Sequence, residues 1–336
     1  MDVKDFYYEL PKELIAQTPF KERDMARLLV VGRDAGVMEE KIFRDIVDYF
    51  REGDCLVMND TKVVPARLFA KRKTGGKVEV FLLDIGTEHP RALINPSGRI
   101  KSGEELTFDN GCKVRVMERA NVGRFVEFDS PLERILETGH VPLPPYISRN
   151  DEPRDKEDYQ TVYCAREGAT ASPTAGLHFT TGLLDRIKGK GVSTVFVTLH
   201  TGYGTFSPVK VDRVEDHNMH SEPFEINEDV AEKINRTKRS GGRVFAVGTT
   251  SCRVLESTAL DGNTVKAQKG ETKLFIYPPY RFKIVDALIT NFHLPCSTLL
   301  MLVSAFAGKE NIAKAYQYAV DKKFRFFSYG DAMLLI

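Results

Sequence analysis

The chain has 336 residues, with 48 Lys and Arg set against 47 Asp and Glu for a formal net charge of +1. That length exceeds what one hydrophobic core usually fills, so two domains are expected, and the balanced charge excludes a globally basic nucleic-acid binder. An RNA or DNA partner would have to be held by a local patch. The longest apolar run, Leu299 to Ala307, is too short to cross a bilayer, so no membrane partner is expected.

The five cysteines form no Cys-x-x-Cys pair, which argues against a disulfide framework and against a cysteine-zinc ribbon. Asp2, Lys4 and Asp5 interrupt any early apolar run, so no secretory leader is expected. A reducing cytoplasm is the simplest compartment.

In chain order, Phe43 to Phe50 reads as a short amphipathic helix and Cys55 to Met58 as a strand, followed by the polar loop Asn59-Asp-Thr61. Short strands then recur at Lys77 to Leu83, Arg91 to Ile94, Glu105 to Phe108, Lys113 to Val116 and Arg124 to Phe128. Gly- and Asn-rich turns between them predict a small all-β unit, a barrel. Prolines at 142, 144, 145 and 153, with the charged run Arg154 to Asp158, read as a domain junction. After Tyr159 strands alternate with polar loops and helices. The predicted strands are Thr194 to Leu199, Arg243 to Val247 and Ile284 to Ile289, with helices following Gly248 and Ser297. This rhythm predicts an α/β layer whose ligand sits outside the carboxyl ends of the strands.

Five of the seven histidines, His178, His200, His217, His220 and His293, fall in the loop-like stretches of this second part. Histidine is the side chain that ordinarily titrates near neutrality, so these loops are candidate proton carriers. Gly248-Thr-Thr-Ser-Cys-Arg253 fits two readings. One is an anion site at a helix N-terminus; the other is a plain hydroxyl cap with Arg253 in solvent. Gly202-Tyr-Gly-Thr-Phe206 lacks the third glycine of a dinucleotide fingerprint. Its rings, Tyr203 and Phe206, either stack on a base or cation or fill core. His217-x-x-His220 with Glu222 matches no zinc spacing, and no Gly-x-Ser-x-Gly elbow supports serine chemistry. Basic clusters occur at Lys71-Arg-Lys73 with Lys77, at Arg236 to Arg239 and at Lys322 to Arg325.

Several stretches together resemble the S-adenosylmethionine:tRNA ribosyltransferase-isomerases of queuosine biosynthesis. They include Leu10-Pro-Lys-Glu-Leu-Ile-Ala-Gln17, Leu143-Pro-Pro-Tyr-Ile147, Pro173-Thr-Ala-Gly-Leu-His-Phe179, Met219-His-Ser-Glu222, Gly248-Thr-Thr-Ser251, Thr290-Asn-Phe-His-Leu-Pro295 and Ser328-Tyr-Gly-Asp-Ala332. The matches run from end to end in order. Ser172 and Cys296 depart from the residues expected there, alanine and a basic or polar residue.

The resemblance implies a barrel-like mixed α/β catalytic domain, residues 1–64 and 156–336, with a β-barrel inserted at 65–155. It implies transfer and isomerisation of the ribosyl part of S-adenosylmethionine onto the 7-aminomethyl-7-deazaguanine wobble base of tRNA. The products are epoxyqueuosine-tRNA, adenine and methionine. Partners are then a tRNA with a GUN anticodon carrying the modified wobble base and S-adenosylmethionine, a co-substrate; no metal or other cofactor is expected, and the protein is expected to be a monomer. Such chemistry needs a base for the proton beside the sulfonium and an acid for departing adenine. Expected acid–base residues are His178 first, then His200, His293 and Glu222. Expected substrate contacts are Thr174, Gly176, Phe179, Tyr203, Phe206, Thr249, Thr250, Arg253, Asn291 and Phe292. Of these, Thr249, Thr250 and Arg253 take the methionine carboxylate, and Tyr203, Phe206 and Phe292 stack on adenine or the wobble base or face the sulfonium. Lys71, Arg72, Lys73 and Lys77 are expected to grip tRNA. The rival readings are a non-catalytic tRNA-binding protein and a small-metabolite transferase or hydrolase.

Overall fold

A computed structural model describes residues 1–33, 38–83, 85, 87, 89–202 and 209–336. A hairpin of β1 (Arg27–Val31) and β2 (Met38–Ile42) precedes the buried strand β3 (Cys55–Asn59) and the short β4 (Thr61–Val63). Six strands then close into an antiparallel barrel: β5 (Arg67–Arg72), β6 (Lys77–Leu82), β7 (Arg91–Asn95), β8 (Glu104–Phe108), β9 (Lys113–Arg119) and β10 (Arg124–Phe128). Alternation along them, such as Leu68 and Ala70 inward with Phe69 and Lys71 outward, fills the barrel with aliphatic side chains.

The chain leaves the barrel through α1 (Leu132–Leu136), the proline strap and α2 (Asp155–Asp158), and returns as β11 (Arg166–Ala169). β11 pairs in parallel with β4, so the segments entering and leaving the barrel are hydrogen-bonded to each other. The remaining elements are α3 (Thr181–Gly189), β12 (Ser193–Leu199), β13 (Glu222–Ile226), α4 (Glu228–Arg239), β14 (Val244–Val247) and α5 (Gly248–Ser257). The pair β15 (Ala259–Leu260) and β16 (Thr264–Val265), then β17 (Gln268–Thr272), β18 (Ala287–Asn291), α6 (Thr298–Ala307), α7 (Lys309–Asp321) and β19 (Ala332–Leu335) complete the chain.

Nine strands form one mixed sheet in the order β17-β13-β12-β3-β14-β18-β19-β1-β2. Its central strands are buried along their whole length, as expected of strands covered on both faces. In β3, Cys55 and Val57 join the core under α4 to α7, while Leu56 and Met58 join the core under α3. β12, β3, β14 and β18 run parallel, so their carboxyl ends share one edge of the sheet.

Local boundaries depart from the sequence expectations. Phe43–Tyr49 is a 3-10 helix, not an α-helix. The strand expected over 284–289 lies at Ala287–Asn291 instead, so Thr290 and Asn291 end a strand rather than open a loop.

Candidate active site

A cavity of about 340 Å³ lies at the shared carboxyl edge. Its walls come from Ser172 to Ala175, Gly248 to Thr250, and Thr290 to Leu299, with Tyr146, Thr201, Phe327 and Ser328 completing the rim. Strand β14 turns directly into α5 at Gly248, whose φ is +83°, a conformation side-chain-bearing residues rarely adopt. No side chain caps this helix, which removes the plain-cap reading of the segment. Its first N–H groups therefore stand at the cavity with the positive end of the helix dipole. Ser172, Thr201 and Thr250 also line this space, and among the described residues their buried hydroxyls have no hydrogen-bond partner. Buried hydroxyls left unpaired are costly, so the wall is built for a polar occupant.

Asn291 organises one side. Its Oδ1 accepts from the Thr174 hydroxyl at 3.0 Å, and its Nδ2 faces His178 Nε2 at 3.1 Å and the Phe327 carbonyl at 3.3 Å. His178 also hydrogen-bonds the backbone of Arg23. An amide nitrogen only donates, so His178 Nε2 must be the acceptor and the ring is neutral. Burial pushes its pKa down to about 4. His178 packs against Phe43, behind the cavity wall rather than on it.

His293 does reach the wall. The Tyr316 hydroxyl accepts from the His293 backbone N–H at 3.0 Å, so its own proton goes to Nδ1 at 3.3 Å. That leaves Nε2–H to donate to Thr290 Oγ1 at 3.2 Å. Burial lowers its pKa to about 3. Neither His178 nor His293 therefore titrates near neutrality, contrary to the expectation for this cluster.

His200 follows β12, half-buried, with Nδ1 at 2.7 Å from Thr61 Oγ1. Its ring occupies space that only glycine leaves at position 168, where a Cβ would meet it at 2.9 Å. Burial lowers its pKa, and the nearby Asp60 carboxylate opposes that shift.

Other expectations are corrected. Glu222 and Arg253, assigned separately to catalysis and carboxylate binding, are buried and paired with each other. Arg253 is thus not in solvent; its Nε donates to the Leu274 carbonyl, and its Nη2 is buried without a partner. Phe179 is a core ring packed against Phe43, away from the cavity; Phe292 belongs to the cavity wall, but its fully buried ring packs against Tyr316, so it offers no face for stacking. Gly176 is a packing glycine, since a Cβ there would lie 2.0 Å from the Tyr163 hydroxyl. Arg72 is committed to Glu104 through Nε at 2.6 Å and Nη2 at 3.2 Å. Lys71, Lys73 and Lys77 are exposed, and Lys71 is itself bridged to Asp109 at 2.8 Å. Tyr203 and Phe206 lie outside the described residues.

The rim residues Tyr146, Phe327 and Ser328 carry no signal in periodicity. Tyr146 stacks on Phe327 at 4.4 Å, and its hydroxyl shares a hydrogen bond with Ser328. Phe327 and Cys296, both on the cavity, adopt positive φ (71° and 55°), so backbone strain gathers here.

Fold and cavity define an α/β enzyme whose site opens at the carboxyl ends of the sheet, beside a closed β-barrel. A family model described as queuosine biosynthesis protein matches residues 3–335. The S-adenosylmethionine:tRNA ribosyltransferase-isomerase of Acetivibrio thermocellus is 52% identical over 343 aligned positions spanning all of both chains. That of Clostridioides difficile is 50% identical over the same span. The crystal structure of S-adenosylmethionine tRNA ribosyltransferase from Thermotoga maritima is similar with a TM-score of 0.57 and 37% identity, covering 99% of this chain and 100% of that one. The chain belongs to this queuosine biosynthesis family.

Proposed function

We propose that the protein transfers and isomerises the ribosyl moiety of S-adenosylmethionine onto the 7-aminomethyl-7-deazaguanine wobble base of a GUN-anticodon tRNA. Epoxyqueuosine-tRNA forms, and adenine and methionine leave. The observation that carries this reading is the cavity itself: an uncapped helix N-terminus and three residues with hydroxyls unpartnered among the described residues line one space, in a chain whose full-length relatives bear that enzyme's name.

The N-terminus of α5, with Thr249 and Thr250, takes the methionine carboxylate. Thr174 and Asn291 hold the ribose side, and Tyr146 with Phe327 supplies an aromatic wall for a base. His200, adjacent in the chain to the rim residue Thr201, is the proton carrier: it is less buried than His178 and His293, and Asp60 favours its charged form. It removes the proton from ribose C5′, made acidic by the sulfonium, and the ribose ring opens as adenine departs. His178 acts through Asn291, and His293 through Thr290, as positioning residues. Lys71, Lys73 and Lys77, on a barrel unit spanning 65–155, hold tRNA phosphates. The protein works as a cytoplasmic monomer without metal or cofactor.

Incubation with S-adenosylmethionine and precursor-containing tRNA tests the reading. Adenine should appear only when both are present. Binding of tRNA without adenine release would support a non-catalytic binder instead, and turnover without RNA a small-metabolite enzyme.

A further inference from the structure

The outer face of the barrel carries a feature that the transfer reaction does not explain. Strand register sets Lys71 beside Lys77, Phe69 beside Glu79, and Arg67 beside Phe81 across β5 and β6. Across β6 and β7, Glu79 pairs with Asn95 and Phe81 with Leu93. Alternate residues share a face, so Lys71, Phe69 and Arg67 form one outward row with steps of about 6.6 Å. Phe69 is 46% exposed, and its ring meets His140 perpendicularly at 5.1 Å. A large aromatic left half in solvent between Lys71 and Arg67 is an unusual use of a strand position.

At the other end this row enters a groove of about 320 Å³, within the size range of ligand pockets. Arg67, Glu79, Phe81, Leu93 and Asn95 form its floor, with Arg67 Nε bridged to Glu79 at 3.1 Å, and Pro142 to Pro145 and Thr170 form its side. The strap is pinned there by a two-way backbone bridge between Arg67 and His140. Two chain segments separate this groove from the main cavity. Pro145 faces the groove while Tyr146 faces the cavity; Thr170 faces the groove while Ala171 and Ser172 face the cavity. The two spaces are neighbours across a wall one residue thick.

We propose that this face is a track for the unpaired nucleotides flanking the modified base. Phe69 is a stacking platform for one base, the Arg67–Phe81–Pro144 groove seats the nucleotide next to the one in the cavity, and the exposed lysines follow the phosphates. The proposal rests on the reading that the substrate is RNA. Stacking suits it because every base has a π-face, and one aromatic platform can contribute substantially to single-strand binding. A base extruded into the cavity also leaves its neighbours unstacked and in need of support.

The test uses the full chain, anticodon stem-loops carrying 2-aminopurine on either side of the wobble position, and the variants Phe69→Ala and Phe69→Trp. Phe69→Ala should weaken binding about tenfold and abolish part of the fluorescence change at one flanking nucleotide. Phe69→Trp should retain both. An unchanged melting temperature for Phe69→Ala will show that the barrel is intact. Wild-type-like affinity and fluorescence in Phe69→Ala would overturn the track. If the wild type still releases adenine in that case, the transfer reading stands alone. If the wild type neither binds the RNA nor releases adenine, both fall.

Discussion

His178 Nε2 accepts a hydrogen bond from Asn291 Nδ2 at 3.1 Å, and the same Asn291 holds the Thr174 hydroxyl at the cavity. A neutral histidine bound in this way fixes Asn291, the proposed ribose contact, and under that proposal acts by positioning. Replacing His178 with Ala should lower kcat by about tenfold or more, through a mispositioned Asn291, while S-adenosylmethionine binding changes less. The pH dependence of kcat should keep its shape. Loss of its acid limb in this variant would return His178 to the role of proton carrier.

Folding stability should depend on pH through the same buried rings. Their folded pKa values, about 4 for His178 and about 3 for His293, lie below the ordinary 6.5. The unfolded chain therefore binds more protons than the fold between those values. The stabilisation is complete above about pH 6.5 and is lost as pH falls toward 4 and then 3. Melting temperatures measured from pH 7 to pH 4 should fall, and His178→Asn should fall less steeply. Parallel curves would contradict the assignment.

Thr250 offers a separation of folding from binding. Its hydroxyl is buried with no partner. Thr250→Val keeps the shape and removes an unsatisfied group, so stability should be unchanged or slightly higher. Affinity for S-adenosylmethionine, read by calorimetry, should drop by about tenfold, the effect of one lost hydrogen bond to a charged group.

The Arg253–Glu222 pair should behave as one structural unit. Removing one partner leaves a buried charge uncompensated, at a cost of about 3–5 kcal/mol. Arg253→Met and Glu222→Gln should each lower stability, and the double variant should recover much of the loss. Chemical denaturation of the four proteins forms the cycle; simple additivity would show that the two residues act independently.

The barrel lysines and Arg72 should separate cleanly. Lys73→Ala with Lys77→Ala should reduce the slope of log K against log salt for tRNA by about 0.7 per contact removed. Arg72→Ala breaks the contact with Glu104, so it should lower the melting temperature and leave that slope alone.

What could be read from the sequence followed local pattern. Apolar runs marked β3, β6 and β14, and evenly spaced turns marked the barrel. The strands β2 and β17 did not announce themselves, because Met38–Ile42 and Gln268–Thr272 are polar edge strands whose pairing depends on distant neighbours. At the site, Thr174, Thr249, Thr250, Asn291 and His293 stood in polar segments near strand ends and do meet at the cavity. Tyr146 and Phe327 were not singled out, since one comes from the proline strap and the other from a strained turn near the end of the chain. Burial also separated residues that composition had grouped. Phe292 and Phe179 went to the core, and His178 to the layer behind the wall.

His200 is the residue on which the proposed chemistry turns. Its pKa is lowered by burial, so the acid limb of kcat should inflect below pH 6.5. His200→Gln should remove that limb and reduce kcat by about 10²- to 10⁴-fold.

The most direct measurement of the central claim is the count of adenine released per precursor tRNA consumed, with S-adenosylmethionine supplied in excess. One adenine is expected for each tRNA that gains the ribosyl-derived group, and none from RNA lacking the aminomethyl-deazaguanine. Adenine release that continues without tRNA, or tRNA binding with no adenine at all, would contradict it.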